Sequence, residues 1–269
     1  MSKAPIRVPE LVGRKSSGPK IAMMTAYDAT FARLLDRAGI DILLVGDSLG
    51  MVVMGEETTL PVTVDAMVHH TRAVRRGASH ALIVADMPFL SYQTSVPEAV
   101  RNAGRLLQEG GAAAVKVEGG RGAAEVIARL VDIGIPVMAH IGLTPQSVHQ
   151  LGGFRRVGVS NGEHDRLLEE ATLIEKAGAF SVVLESIPDV LAKTITEQVH
   201  IPTIGIGAGP HCDGQVLVSY DAFGLFDKFV PPFVKQYAKL GEAVVAATEE
   251  YIADVRQGRF PAERAAKQS

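Results

Sequence analysis

The chain has 269 residues, 47% of them hydrophobic and 21% charged, a balance that suits one large globular domain or two small ones. A formal net charge of -3 gives no basic footprint for nucleic acid, so small molecules or further copies of the chain are the expected partners. A single cysteine, Cys212, excludes an internal disulfide framework and fits a reducing compartment, so a cytoplasmic location is expected.

Residues 1–20 carry basic side chains but no apolar h-region and are expected to form a surface arm. Nothing later offers about 18 uncharged apolar residues in a row, so no membrane span is expected. Beyond the arm, short apolar runs alternate with helix-period segments. IAMMTA (21–26) is the first predicted strand and a helix follows over 28–38; DILLVG (41–46) leads to a helix over 64–76, and ALIVAD (81–86) to one over 97–109. AAVKV (113–117) precedes a helix over 122–133, IPVMAH (135–140) one over 163–177, and FSVVLE (180–185) one over 188–198. IPTIGIG (201–207) has no long helix after it, and QVLVSY (215–220) leads to a last helix over 231–255. Ser95 and Ser186 each stand three residues before an acid, Glu98 and Asp189, and read as helix-capping serines. Eight strand–helix units in about 250 residues are the size of a (β/α)8 TIM barrel. The expectation is one α/β domain over 21–255 with a tail over 256–269. A doubly wound open sheet is the rival, and the strand count favours closure.

The strand AAVKV and the glycines after it pose the functional question. Side chains at i and i+2 share a strand face, so Ala114, Lys116 and Glu118 point together while Val115 and Val117 point away. With helices outside, the charged pair faces the barrel axis, where unpaired charge costs several kcal/mol in order of magnitude. Other strand ends supply partners: Asp47 and Ser48 after strand two, Asp86 after three, His140 after five and Glu185 after six. In a parallel barrel these ends share one mouth, where such enzymes build their sites. Asp47, Asp86 and Glu118 cannot all stay ionised close together without a cation, and Mg2+ suits oxygen ligands. Each acid taken singly is also explained by a loop cap or an arginine partner.

Lys116 has three readings: orienting a substrate carboxylate, forming a Schiff base, or pairing with Glu118. Glu185, on a strand apart from the three acids, reads as a general base or as an acid at a helix N-terminus. His140 reads as a substrate contact, a proton relay or a satisfied core histidine. The glycine-dense GIGAGPHCDGQ (205–215) matches neither a dinucleotide fingerprint nor a P-loop and is expected to form a turn and pocket wall. His69 and His70 diverge on a helix, and Cys212 has no base nearby in sequence; neither is assigned a role.

The stretches TAYDATFARLLDRAGID (25–41), VGDSLGMVVMG (45–55), TLPVT (59–63), ADMPF (85–89), KVEGG (116–120), AHIGLTPQ (139–146) and GIGAG with CDGQVLV (205–218) resemble the ketopantoate hydroxymethyltransferase family. The resemblance runs from about residue 7 to Pro261. It implies transfer of a hydroxymethyl group from 5,10-methylenetetrahydrofolate to the 2-oxoacid 3-methyl-2-oxobutanoate, giving 2-dehydropantoate and tetrahydrofolate, with Mg2+ bound. By resemblance Asp47, Asp86 and Glu118 are the metal-associated acids, directly or through water. Asp47, Ser48, Asp86 and Lys116 hold the ketoacid, His140 lines the site, and Glu185 accepts the proton. A homo-oligomer, usually a decamer, is implied as well. The chain departs from the family over 151–166, LGGFRRVGVSNGEHDR, where Phe154 lacks a hydroxyl, which bears on folate contacts rather than the metal chemistry. Two other readings stand beside this one: a Schiff-base aldolase using Lys116, and a noncatalytic metabolite-binding barrel.

Overall fold

The computed structural model describes residues 4–15 and 18–262; residues 1–3 and 16–17 of the expected arm and 263–269 of the expected tail lie outside these. Eight parallel strands close into a barrel in chain order. They are β1 (Ile21–Thr25), β2 (Ile42–Val45), β3 (Leu82–Asp86), β4 (Ala114–Glu118), β5 (Val137–Gly142), β6 (Ser181–Glu185), β7 (Thr203–Ile206) and β8 (Gly214–Leu217), with β8 returning to pair with β1. The helices are α1 (Val8–Val12), α2 (Ala29–Ala38), α3 (Leu49–Val52), α4 (Val64–Gly77), α5 (Val96–Gln108), α6 (Ala124–Asp132), α7 (Val148–Leu151), α8 (Asn161–Lys176), α9 (Asp189–Gln198), α10 (Ser219–Ala222) and α11 (Leu240–Arg256). This is the (β/α)8 barrel that the alternation predicts.

The chain divides into two compact units, Met1–Val218, which contains all eight strands, and Ser219–Ser269. In the second unit the expected helix over 231–255 begins only at Leu240. The Tyr237 and Leu240 N–H groups donate instead to the Ala222 and Phe223 carbonyls, at 2.7 and 2.9 Å, so the backbone before Leu240 is engaged outside a helix. The eighth strand is also shorter than expected, because Ser219 already opens α10.

Inward side chains of the strands, among them Met23, Ile42, Leu44, Val84, Ala114, Met138, Val183, Ile204 and Val216, form one buried cluster. Ile6 and Leu11 join it, 6% and 1% exposed, so the N-terminal segment is not the surface arm its composition suggests. The Ile6 N–H donates to the His80 carbonyl at 2.8 Å, which anchors the segment where the strands begin. Burying two such side chains contributes roughly 1.5–3 kcal/mol each. The opposite end of the barrel is left to polar residues.

Ser95 caps α5 as expected, its Oγ accepting from the Glu98 N–H at 3.4 Å. Ser186 does not cap α9. The helix opens after Pro188, while Ser186 sits at φ 49° and donates its N–H to the Ile206 carbonyl at 2.9 Å. Ser186 is thus a left-handed turn residue directly after Glu185.

Candidate active site at the carboxyl ends of the strands

Strand alternation fixes which side chains reach the mouth. Ala114 belongs to the axial cluster, so Lys116 and Glu118 continue its face; Val84 leads in the same way to Asp86, Met138 to His140, and Val183 to Glu185. Backbone register then sets neighbours, pairing Asp86 with Lys116, Glu118 with His140, and Gly142 with Glu185. Gly142 lies at φ 99°, and a Cβ there would fall 2.3 Å from the Glu185 carbonyl oxygen. Only glycine permits this approach.

The side chains meet as the register requires. Lys116 Nζ lies 2.6 Å from Asp86 Oδ1 and 3.8 Å from Glu118 Oε1. His140 places Nδ1 3.4 Å from Glu118 Oε1 and Nε2 3.2 Å from Glu185 Oε2; both are ion-pair contacts without the directionality of hydrogen bonds. The Asp47 N–H donates to Asp86 Oδ2 at 3.1 Å, which links the ends of β2 and β3. Gly46 leaves room for this, since a Cβ on it would lie 2.8 Å from Ser48 Oγ and 3.5 Å from Asp86 Oδ2. Ser48 Oγ shares a 2.9 Å hydrogen bond with the hydroxyl of buried Tyr27, whose carbonyl oxygen lies 2.6 Å from His70 Nδ1. Asp47, Asp86, Lys116, Glu118, His140 and Glu185, six of the seven residues singled out from the sequence, therefore join one network, while Ser48, next to Asp47 in the chain, bonds to Tyr27 instead.

Two residues not singled out complete it. Gln146 follows β5 in a single 3-10 turn, Pro145–Ser147, and is 5% exposed. Its Nε2 donates to Asp47 Oδ2 and to the Met87 carbonyl, each at 2.9 Å, and its backbone N–H donates to Glu118 Oε2 at 3.0 Å. Tyr92 places its hydroxyl 2.8 Å from Gln146 Oε1 and accepts the Glu118 N–H at 3.2 Å. The signal was the polar Gln146 within AHIGLTPQ, but no strand alternation points it at the mouth.

The charges respond differently to the same burial. Burial, reinforced by the charges of Asp86 and Glu118, pushes the Asp47 carboxyl well above the usual range. Burial also opposes the charge on Glu118, yet His140, Lys116 and the Gln146 N–H together hold its carboxyl below the usual range. Lys116 is raised despite burial, because Asp86, Glu118 and Asp47 favour its cationic form. Burial and Lys116 disfavour the His140 imidazolium, but the Glu118 and Glu185 carboxylates outweigh them and raise it to about 9. A lysine held charged is a poor Schiff-base nucleophile, which weighs against the aldolase reading.

Among the described residues, no three His, Cys, Asp or Glu side chains converge as a ready-made metal ligand set. In this arrangement each acid has an oxygen engaged within the protein: Lys116 holds Asp86 Oδ1, and Gln146 holds Asp47 Oδ2 and Glu118 Oε2. The donor set still fits a hard divalent cation, since Asp47, Asp86 and Glu118 offer only oxygen and the neighbouring acids add to the burial that disfavours charge on Asp47. The Asp47 N–H joins Asp86, and Gln146 joins Asp47 to Glu118.

The remaining candidates stand apart. Cys212 is buried and burial pushes its thiol up, so it is no nucleophile. In the divergent 151–166 segment Phe154 is 52% exposed, and Arg155 Nη2 lies 2.6 Å from Glu163 Oε1, holding that carboxyl at about 2. Among the described residues no helix is long and apolar enough to cross a membrane.

Known proteins similar to the chain agree on its relationships. The family model described as ketopantoate hydroxymethyltransferase matches residues 5–263. A 3-methyl-2-oxobutanoate hydroxymethyltransferase of Moorella thermoacetica is 58% identical over 256 residues, 95% of each chain. Another, from Syntrophus aciditrophicus, is 59% identical and covers 93% of this chain and 92% of its own length. Among solved structures, phosphonopyruvate hydrolase in complex with oxalate and Mg2+ superposes with a TM-score of 0.64 at 13% identity, covering 97% of this chain and 92% of the other. The 2,3-dimethylmalate lyase, described as a member of the PEP mutase/isocitrate lyase superfamily, gives a TM-score of 0.62 at 18% identity, with 98% and 93% covered. At such identities these structures speak for the barrel alone. With a matching family model over nearly its whole length and relatives well above half identical, the chain belongs to the ketopantoate hydroxymethyltransferase family.

Proposed function

We propose that Asp47 and Asp86 hold Mg2+, with Glu118 reaching it through water, and that Glu185 removes the proton from C3 of the ketoacid. The overall reaction is that of the family: a hydroxymethyl group is placed on 3-methyl-2-oxobutanoate in pantothenate biosynthesis. Bound at Asp47 and Asp86, Mg2+ would polarise the keto group and offset charge gathering on its oxygen. Lys116 orients the ketoacid carboxylate, since its charge is fixed by Asp86 and its buried stem leaves it little freedom. Ser48 donates a hydrogen bond, its hydroxyl set by Tyr27. His140 lines the site and holds Glu185 in place.

The observation that carries the assignment of the base is exposure. Glu185 is 16% exposed and has only His140 between it and Glu118, whereas the side chains of Asp86 and Glu118 are 4% exposed. A base must release its proton after each turnover, and the rim acid is the one with an outlet. The C3 carbon, once deprotonated, forms a bond to the methylene carbon of 5,10-methylenetetrahydrofolate; both C–N bonds of that carbon break in the overall transfer, water supplies the hydroxyl oxygen, and the C3 proton and one water proton end on the two freed nitrogens of tetrahydrofolate.

We further propose a cytoplasmic homo-oligomer, a decamer by family resemblance, binding neither nucleic acid nor membrane. Support comes from α11, which buries none of its residues and exposes Val244, Val245, Tyr251 and Val255. The test of function is an assay of the purified chain with 3-methyl-2-oxobutanoate and 5,10-methylenetetrahydrofolate, with and without Mg2+. Mg2+-dependent 2-dehydropantoate is expected. Turnover indifferent to chelation would overturn the metal assignment, and borohydride trapping of a ketoacid adduct at Lys116 would put the aldolase reading in its place.

A further inference from the structure

We infer that Gln146 is a positioning residue that sets the carboxylates of Asp47 and Glu118 in the arrangement a divalent cation requires, with Tyr92 locking its amide. This deepens the reading above and rests on Asp47 and Asp86 holding that cation. The amide is held on every side. Both Nε2 protons are used, by Asp47 Oδ2 and the Met87 carbonyl, each at 2.9 Å. Oε1 receives the Tyr92 hydroxyl at 2.8 Å and Gln93 Nε2 at 3.1 Å. Reversing the amide would set its oxygen against two acceptors, so the network permits one orientation. The backbone N–H of the same residue fixes Glu118 Oε2 at 3.0 Å. One residue thus ties the acid after β2 to the acid ending β4, across 99 and 28 residues of sequence.

The consequence concerns rotation. A carboxylate free to turn offers a cation many orientations, and ordering it on binding costs free energy. Asp47, with Oδ2 already tethered, presents its other oxygen in a fixed direction. Tyr92 extends the tether, because its hydroxyl also accepts the Glu118 N–H at 3.2 Å and is itself 3% exposed. Residues that orient metal ligands in this way are worth about 10- to 100-fold in metal affinity. Asp47 and Glu118 would still be present without Gln146, but not held to one another.

The test uses the full chain, with Mn2+ as probe followed by electron paramagnetic resonance, in the parent, Gln146→Met and Tyr92→Phe. Gln146→Met keeps the approximate volume and removes the side-chain donors. It should weaken Mn2+ binding by about 10- to 100-fold, and its turnover should recover when Mg2+ is raised by a similar factor. Tyr92→Phe removes a hydroxyl while Gln93 still reaches the amide, so a smaller loss of about three- to tenfold is expected. Lowered thermal stability with Mn2+ affinity within twofold of the parent in both variants would overturn the inference and leave Gln146 a packing residue. If Gln146→Met does not fold, Tyr92→Phe decides in the same terms. A parent that binds no Mn2+ would instead refute the cation site itself, and the inference with it.

Discussion

Replacing Lys116 by methionine should destabilise the cation-free protein by about 3–5 kcal/mol, the range for removing one member of a buried ion pair. The structure supplies the terms. Lys116 Nζ stands 2.6 Å from Asp86 Oδ1 and 3.8 Å from Glu118 Oε1, with all three side chains 4–5% exposed. At an effective dielectric near 20 those contacts amount to about 6 and 4 kcal/mol before desolvation. Relief of the lysine's own burial offsets part of that sum, and methionine refills most of the volume. Without the ammonium, Glu118 loses one of the groups that hold its carboxyl below the usual range. The stability that a lowered carboxylate contributes is present above its unfolded pKa and lost as pH falls through the carboxylate range, so the variant's deficit should be largest near pH 8 and shrink toward pH 4. Mg2+ at 100 times its dissociation constant contributes about 2.7 kcal/mol to any form that binds it. The variant should gain at least as much as the parent, because the dication restores charge the lysine supplied, yet its ketoacid binding should stay poor. Urea denaturation at fixed protein concentration, across pH and with or without Mg2+, measures each part. A deficit below about 1 kcal/mol at pH 8, or one that grows as pH falls, would refute the reasoning.

Glu185→Gln should keep ketoacid affinity within about tenfold while losing about 10^2- to 10^4-fold in deuterium exchange at C3 in deuterated water without folate; unchanged exchange in the folded variant would remove Glu185 as the base. Asp86→Asn should weaken Mg2+ and ketoacid binding together, and it should also loosen Lys116, whose 2.6 Å partner is Asp86 Oδ1; calorimetric titration showing both affinities unchanged would place Asp86 outside the site. Light scattering at assay concentration should find a closed homo-oligomer of about ten chains. A fully active monodisperse monomer would contradict it.

Much of the barrel was legible because its information is local. Period-two alternation told which of Ala114, Val115, Lys116, Val117 and Glu118 share a face, and parallel closure then gathered the ends of β2 to β6 at one mouth. What depends on distant partners was not legible. Ser186 carries the local signature of a capping serine, but its N–H is taken by Ile206 on the neighbouring strand, and the φ of 49° that results belongs to a turn. Ile6 and Leu11 look like isolated apolar residues in a basic segment until the foot of the barrel provides a cluster to enter. Gln146 lies outside any strand, and its meaning comes from Asp47, 99 residues away.

The two halves of the mouth handle charge in opposite ways. On β4 and β5, Glu118 is already compensated by Lys116, His140 and the Gln146 N–H, so its carboxyl is held low. After β2, Asp47 has acids for neighbours and Lys116 only at longer range, so its carboxyl is held high. Environments that drive like groups apart mark a division of labour. Under the proposal that Asp47 and Asp86 hold a dication, the cation would sit where negative charge is least compensated, with Glu118 the outlying acid. His140 then lies between the charge-holding residues and Glu185, with one nitrogen toward each. Held as imidazolium, it shields the rim carboxylate from the acids behind it. If Glu185 is the base, as proposed, it would act at the exposed edge, with His140 between it and the buried Glu118.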